Sequence, residues 1–313
     1  MSTYLVTGGA GFIGSNFVGE LVRRGETVRV LDNLATGHIQ NLDTVRQKIQ
    51  WHEADIRDLE SIRPDFEGVD YVIHLAAIPS VPRSVADPLT SNSANIDGTL
   101  NVLLAARDAG AKRVVFSASS SAYGDHPALP RVESQEPRPL SPYALTKLTG
   151  EYYCKIFTRV YGLETVSVRY FNIFGPNQSP DSPYSGVLSL FISAYMNGQT
   201  PTIFGDGEQS RDFTYVENAV DATLRACMAP NASGQVINVG TGERHTLNET
   251  IKLLDRIFGR QVTPRYDTPR AGDVQHSHAD ISLARELLGY EPAVPFEDGL
   301  KKTVAWFRSG PTS

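Results

Sequence analysis

Tyr143 and Lys147 stand four residues apart in Ser141-Pro142-Tyr143-Ala144-Leu145-Thr146-Lys147. On a helix that spacing puts the phenol and the ammonium on one face. Ser141 suits an N-cap and Pro142 the first helical position, so Tyr143 falls in the first turn, where the helix dipole favours a phenolate. A neighbouring ammonium lowers the phenol pKa further. A tyrosine so placed can take a proton near neutral pH. Taken alone, the pair is also what an ordinary surface helix displays. A run of hydroxyls, Ser117-Ala118-Ser119-Ser120-Ser121, sharpens it. It follows the apolar segment Val114-Val115-Phe116 and precedes Ala122-Tyr123-Gly124, which is not linker composition. A hydroxyl there can bond both a substrate oxygen and the phenol.

A second group of residues belongs to phosphate chemistry. Gly8, Gly11 and Gly14 directly follow Tyr4-Leu5-Val6-Thr7 and open the pattern Phe12 to Arg24. Glycines at this spacing permit a tight turn, close approach of backbone to a pyrophosphate, and packing of helix on strand; the helix N-terminus offers N–H groups to the phosphates. Phe12 and Ile13 lie within that turn. Asp32 closes the next strand, where a carboxylate accepts hydrogen bonds from an adenosine ribose. Asn33 to Val45 carries no lysine or arginine to meet a 2′-phosphate, which favours NAD over NADP. Asp55-Ile56 is placed to bracket an adenine, and the small Leu75-Ala76-Ala77 to line the cofactor cleft. A surface acid and a packed turn explain these last two equally well.

The elements that must position these groups alternate. Tyr4–Thr7, Thr27–Leu31, Ile49–Glu53, Asp70–Leu75 and Arg113–Ser117 read as strands. Phe12–Arg24, Pro88–Ala109 and Ser141–Tyr161 read as helices; Ile13, Phe17 and Leu21 recur on one face of the first. The pattern predicts an α/β doubly wound parallel sheet, Rossmann-like. The second half is less regular, with turns at Gly175-Pro176-Asn177, Gly205-Asp206-Gly207 and Pro269-Arg270-Ala271-Gly272. Regular structure returns over Phe213–Met228 and Gln235–Val239, and a C-terminal helix is expected around Trp306-Phe307.

Composition bounds the class. The chain has 313 residues, with 41% hydrophobic and 20% charged residues, as an ordinary globular enzyme does. Its formal net charge of −6 disfavours a nucleic-acid partner. No apolar run spans a membrane, and no basic, apolar leader opens the chain. Cys154 and Cys227 have no metal-ligand spacing and suit a reducing cytoplasm.

Gly8-x-x-Gly11-x-x-Gly14, the Ser119 cluster, Tyr143-x-x-x-Lys147, Arg169-Tyr170-Phe171-Asn172 and Arg270-x-x-Asp273 together resemble the extended short-chain dehydrogenase/reductase family, and within it the UDP-hexose 4-epimerases. The resemblance covers nearly the whole chain. It implies an NAD domain (1–168 plus 213–240) and a smaller α/β nucleotide-sugar domain (169–212 plus 241–313). It implies Tyr143 as acid/base, Lys147 on the nicotinamide ribose and Ser119 on the sugar hydroxyl. Ser80, Ser120 and Ser121 would lie along the sugar, and Asn95 would order the catalytic region. Asn172, with backbone from Tyr170 and Phe171, would contact nucleotide sugar and nicotinamide. Val187, Thr202 and Phe204 would border the uracil, Arg211 and Arg270 the diphosphate, and Asp273 the uridine ribose. Forked arginine donors suit a diphosphate. Ser277 would face C2 of the sugar, where a serine leaves room for an N-acetyl group. Family members often dimerise through the two long helices, with Leu100, Leu103 and Leu104 serving that interface or the core.

The implied reaction inverts C4 of a UDP-hexose through a 4-keto sugar, with UDP-GlcNAc/UDP-GalNAc and UDP-Glc/UDP-Gal as substrates. Dehydration is disfavoured because Ser120 and Ser121 stand where dehydratases carry an acid pair. A UDP-glucuronate 4-epimerase is disfavoured because Asn177-Gln178-Ser179-Pro180-Asp181 lacks an arginine. Pro79 stands where many galactose-type epimerases have a lysine. A reductase of the same family remains a rival, as does a catalytically silent NAD-sensing protein.

Overall fold

The computed structural model describes residues 1–179, 186–269 and 274–309. Seven strands form one sheet: β1 (Thr3–Thr7), β2 (Thr27–Asp32), β3 (Gln50–Glu53), β4 (Tyr71–His74), β5 (Arg113–Ser119), β6 (Glu164–Tyr170) and β7 (Val236–Val239), in the order β7-β6-β5-β4-β1-β2-β3. Every pairing is parallel. The order reverses between β1 and β4, so the crevice beyond the strand ends opens there, at the switch point of a doubly wound sheet. Thr7, His74 and Ser119 end the three strands that flank it.

Parallel strands are covered on both faces, and these read as apolar runs for that reason. Leu5, Val6, Val72, Ile73, Val114 and Val166 are fully or almost fully buried. Phe17 and Leu21 of the Phe12–Arg23 helix lie in the core below β1, as their spacing predicts. Arg24 caps that helix and is not part of it.

Three boundaries differ from expectation. The Pro88–Ala109 helix is interrupted: Pro88–Asn92 and Gly98–Asp108 are joined by a π-helical turn, Ser93–Asp97. The helix from Pro142 is regular to Ile156 and then widens into a π-turn, Phe157–Tyr161. β5 runs on to Ser119, so Ser117 and Ser119 are strand residues and do not follow the strand. Leu103 is wholly in the core, with Leu100 and Leu104 packed against it.

The second half supplies the helices Val187–Met196, Val216–Met228 and Leu247–Phe258 and three short strand pairings. Periodicity missed the first and third. The third carries a full capping box between Thr246 and Glu249, a signal present in the sequence. Phe296–Ser309 forms the expected C-terminal helix.

One buried ion pair locks the Pro142–Ile156 helix to the sheet. Arg169 on β6 donates through Nε and Nη2 to the two carboxylate oxygens of Glu151, both at 2.8 Å. Both side chains are 3% exposed. Arg169 also stacks 4.5 Å from the Tyr123 ring centroid. Removing one partner strands the other charge. Arg169→Met is therefore expected to lower unfolding free energy in urea by about 3–5 kcal/mol, and adding Glu151→Leu to recover most of it. Equal losses in the single and double variants would contradict this account.

Candidate functional site

Gly8 leaves β1 with φ 71°. A Cβ there would lie 2.7 Å from the Ala76 nitrogen, so the turn after β1 is packed directly on the turn after β4. A Cβ on Gly14 would meet the Gly8 carbonyl oxygen. Each glycine thus answers a close backbone approach. Gly11 is the N-cap of the Phe12–Arg23 helix. Among the described residues no side chain caps it, and its first turn, which includes Ile13, carries no acid. Unpaired N–H groups face the crevice, as a pyrophosphate requires.

Asp32 ends β2, buried. Its Oδ2 accepts from Ala10 N–H at 3.0 Å and its Oδ1 from Leu34 N–H at 2.8 Å. Burial pushes its carboxyl above the usual range, against the pull of those amides. The carboxylate keeps acceptor capacity for a ribose hydroxyl. Asn33 donates to Asp55 at 2.8 Å. Asp55 is also paired with Arg57 at 2.7 Å, and that partner holds its pKa down to about 2. The Asn33–Val45 window misses this arginine, whose charge is committed to Asp55. Ile56 is buried beside them.

Ser119, Tyr143 and Lys147 come together at the end of β5. Ser141 caps the helix through Ala144 N–H at 3.2 Å, and Tyr143 N–H donates to Ser84 at 3.0 Å. Ser119 Oγ accepts from Ser121 N–H at 3.2 Å and from Ser121 Oγ at 2.9 Å. With both acceptor positions used, the Ser119 proton is left to point at a phenolate or a substrate oxygen. Burial pushes the Tyr143 phenol up, and its hydrogen bond with Ser119 opposes this. The expected lowering of the phenol is therefore not a property of the fold alone. Lys147 Nζ donates to the Ser117 carbonyl at 2.8 Å and lies 5.1 Å from the Phe116 ring centroid. Burial pushes its pKa down to about 8.

Asn95 sits in the π-turn. Its Oδ1 accepts from Ile78 N–H at 2.7 Å, and its Nδ2 donates to Ile78 O and to Thr146 Oγ1 at 3.3 and 3.0 Å. It ties the Leu75-Ala76-Ala77 turn to the Tyr143 helix. Ser80 caps the Val81–Ala86 helix through Arg83 N–H at 3.1 Å.

Across the crevice, Asn172 takes φ 37° and donates to Asp212 O at 2.9 Å and to Ser277 Oγ at 3.2 Å. Tyr170 points into the core, its hydroxyl 2.7 Å from Thr223, which leaves its backbone for the crevice. Arg211 donates to the Ser210 and Gln275 carbonyls. Val187 begins its helix, and Thr202 and Phe204 bracket a short strand paired with Arg265–Asp267. Ser120 and Ser121 form the turn after Ser119. Arg270 and Asp273 lie outside the described residues.

Sequence reasoning missed Asp212. Fully buried, it accepts from Thr241 N–H, Thr241 Oγ1, Gly242 N–H and Ala279 N–H at 2.7–3.1 Å. These bonds hold the segments bearing Arg211 and Ser277 against each other. Only an acid after Arg211 hints at this, because every partner is distant in sequence. Among the described residues no group of three or more His, Cys, Asp or Glu could hold a metal, and no helix is long and apolar enough to cross a membrane.

The glycine turn, a strand-end acid and a Ser/Tyr/Lys trio sharing one crevice define a family, and comparison with known proteins agrees. Residues 4–240 match the model of the NAD dependent epimerase/dehydratase family. The chain belongs to that family. It is 39% identical over 310 residues to the UDP-glucose 4-epimerase of Mycolicibacterium smegmatis, covering 97% of this chain and 98% of that protein. It also resembles the UDP-N-acetylglucosamine 4-epimerase of Methanobrevibacter ruminantium, solved with UDP-N-acetylmuramic acid. That likeness has TM-score 0.94 and 40% identity, covering 98% of each chain. A third likeness is to the Thermus thermophilus UDP-glucose 4-epimerase complexed with NAD, with TM-score 0.89 and 36% identity, covering 98% of this chain and 99% of that one.

The buried lysine common to this site and its chemistry has a measurable cost. Below pH 8 the fold holds Lys147 charged against burial; between that value and the ordinary lysine pKa near 10.4 the unfolded chain binds more protons, so stability rises with pH. Lys147→Met is expected to stabilise the cofactor-free protein at pH 7 by on the order of 3 kcal/mol, less the lost Ser117 bond. The difference should shrink as the pH rises towards about 10. A pH-independent difference in urea unfolding would contradict the assignment.

Proposed function

We propose that the chain is an NAD-dependent 4-epimerase of UDP-hexoses. The observation that carries the reading is the trio Ser119, Tyr143 and Lys147 at the end of β5, beside the Gly8 turn. The hydroxyls Ser120 and Ser121 follow it where a dehydratase would carry acids. The residues fit the cofactor: the helix N–H groups of Phe12 to Gly14 would hold the pyrophosphate, Asp32 the ribose, and Lys147 the nicotinamide ribose. Bound NAD supplies the acceptance and return of hydride at C4.

Tyr143 takes the proton from the 4-hydroxyl and gives it back. Ser119 donates its proton to the phenol oxygen or to the reacting oxygen of the sugar. The Lys147 charge and the helix N-terminus offset the burial that raises the phenol. Arg211 and Arg270 hold the diphosphate, Asp273 the uridine ribose, and Val187, Thr202 and Phe204 the uracil. The sugar rests against short hydroxyls, Ser80, Ser120 and Ser121, with Asn172 opposite. Such contacts are weak enough for the keto sugar to turn about its diphosphate and present both faces.

The division 1–168 plus 213–240 for cofactor and 169–212 plus 241–313 for nucleotide sugar accompanies this reading. So does a homodimer. Leu145, Tyr152 and Ile156 of the Tyr143 helix and Val160 of the π-turn that follows it are exposed, as is Leu89 on the Pro88–Asn92 helix. Such an apolar stripe suits a second copy. Free, buried Cys154 and Cys227 are compatible with the cytoplasm.

The substrates are UDP-GlcNAc/UDP-GalNAc together with UDP-Glc/UDP-Gal. Ser277 is short and is hydrogen-bonded to Asn172; in this reading a serine there leaves room for a substituent at C2 of the sugar. Tyr143→Phe is expected to cut epimerisation by about 10²–10⁴-fold while nucleotide binding persists. A near-normal rate for C4 inversion, followed by NMR of the UDP-sugars, would remove this mechanism. Ser277→Tyr is expected to depress turnover of the acetylated pair by steric exclusion and largely spare the plain pair. Equal loss of both pairs would leave Ser277 without this role.

A further inference from the structure

His74 is the last residue of β4 and is 1% exposed. Its Nδ1 lies 2.7 Å from Thr7 Oγ1, at the end of β1, and its Nε2 lies 3.0 Å from Thr99 Oγ1. Hydrogen-bond bookkeeping fixes the tautomer. Thr99 donates its single proton to the Asn95 carbonyl at 2.6 Å, and a carbonyl only accepts. Toward His74, Thr99 is therefore an acceptor, and Nε2 carries the hydrogen. Nδ1 then accepts from Thr7, whose oxygen accepts in turn from Ala76 N–H at 3.3 Å. Neutral imidazole suits the surroundings, since burial and the Lys147 charge both push the ring below its ordinary pKa.

The two partners of His74 lead to the two halves of the site. Thr7 precedes Gly8, and the Leu75 and Ala76 amides hold to Thr7. Thr99 leads to Asn95, Asn95 to Ile78 and to Thr146, and Thr146 donates to the Tyr143 carbonyl at 2.8 Å. The ring also lies 5.7 Å from Phe116, which carries Lys147 above it. We propose that His74, as its Nε2–H tautomer, is the positioning residue that sets the distance between the cofactor turn at Gly8 and the Tyr143–Lys147 helix. The inference rests on the epimerase reading only for its kinetic readout. No change of protonation is involved: the ring works as a fixed donor on one edge and a fixed acceptor on the other.

The test uses the full-length holoenzyme. With ¹⁵N-histidine labelling, His74→Gln assigns the His74 resonances by their disappearance. The wild-type ring should show a protonated Nε2 and a bare Nδ1 between about pH 6 and 8. An Nδ1–H ring, or an imidazolium at pH 7, would overturn the proposal. His74→Phe keeps the ring and removes both polar edges. It should lower kcat by about 10²-fold, the cost of a displacement near 1 Å, with little change in the KM for UDP-glucose. It should also weaken NAD binding several-fold. His74→Gln, which can accept through Oε1 and donate through Nε2, should restore most of kcat. Thr99→Val removes both the acceptor facing Nε2 and the donor to the Asn95 carbonyl and, should His74→Phe fail to fold, should still lower kcat. Wild-type kcat in a folded His74→Phe or Thr99→Val protein would sink the proposal. A wild-type protein that turns over no UDP-sugar would sink the epimerase reading instead, and the ring state and NAD affinity would still decide the role of His74.

Discussion

Burying one ammonium at the divide of the sheet is the constraint around which the rest of the crevice is arranged. Lys147 sits behind Tyr143 with its charge removed from water, which is costly unless its surroundings are prepared. One carbonyl of β5 and the face of Phe116 receive it. The groups around it are kept from competing. His74, close below, is neutral and committed at both nitrogens. Glu151, one turn further along the same helix, is the natural ion-pair partner for Lys147 by spacing alone. Its carboxylate is instead spent on Arg169. Lys147 therefore remains available to a ligand, and a lysine neutralised by Glu151 would not be.

The same logic extends to the phenol. Tyr143 is raised by burial in the bare fold, and its proposed use as a base depends on cations gathered around it rather than on the helix alone. Ser119 is prepared for this by Ser121, which fills its acceptor positions and leaves its proton for the Tyr143 oxygen. Asp212 does comparable work across the crevice: four donors fix the segments that carry Arg211 and Ser277. In the proposed reading, rigid parts hold the nucleotide side and short hydroxyls face the sugar. That division fits a reaction whose intermediate must turn over inside the site.

What the sequence makes legible here is what is local. The glycine turn, the Ser141 cap with Tyr143 and Lys147 beyond it, and the serine at the end of β5 each declare themselves within a few residues. The parallel sheet follows from alternation of apolar runs and helical patterns. Asn95 was readable through the family resemblance, and the structure supplies its partners, Ile78 and Thr146. The contacts that position these groups pair residues far apart in the chain, as with Thr7 and His74, Glu151 and Arg169, or Asp212 and Ala279. No spacing rule announces them. A polar His74 in an apolar strand, and a lone acid after Arg211, are the faint local traces they leave. Leu247–Phe258 is a different case: its capping box and its Leu247, Ile251, Leu254 stripe were present and outweighed by the irregular composition around it.

The central claim is that this crevice removes and restores the hydrogen at C4 of a UDP-hexose without exchanging it with water. UDP-glucose deuterated at C4, incubated with the purified protein and no added nucleotide, tests it directly by NMR. The account predicts UDP-galactose with deuterium still at C4. Loss of deuterium to solvent, or no C4 epimer at all, would contradict it.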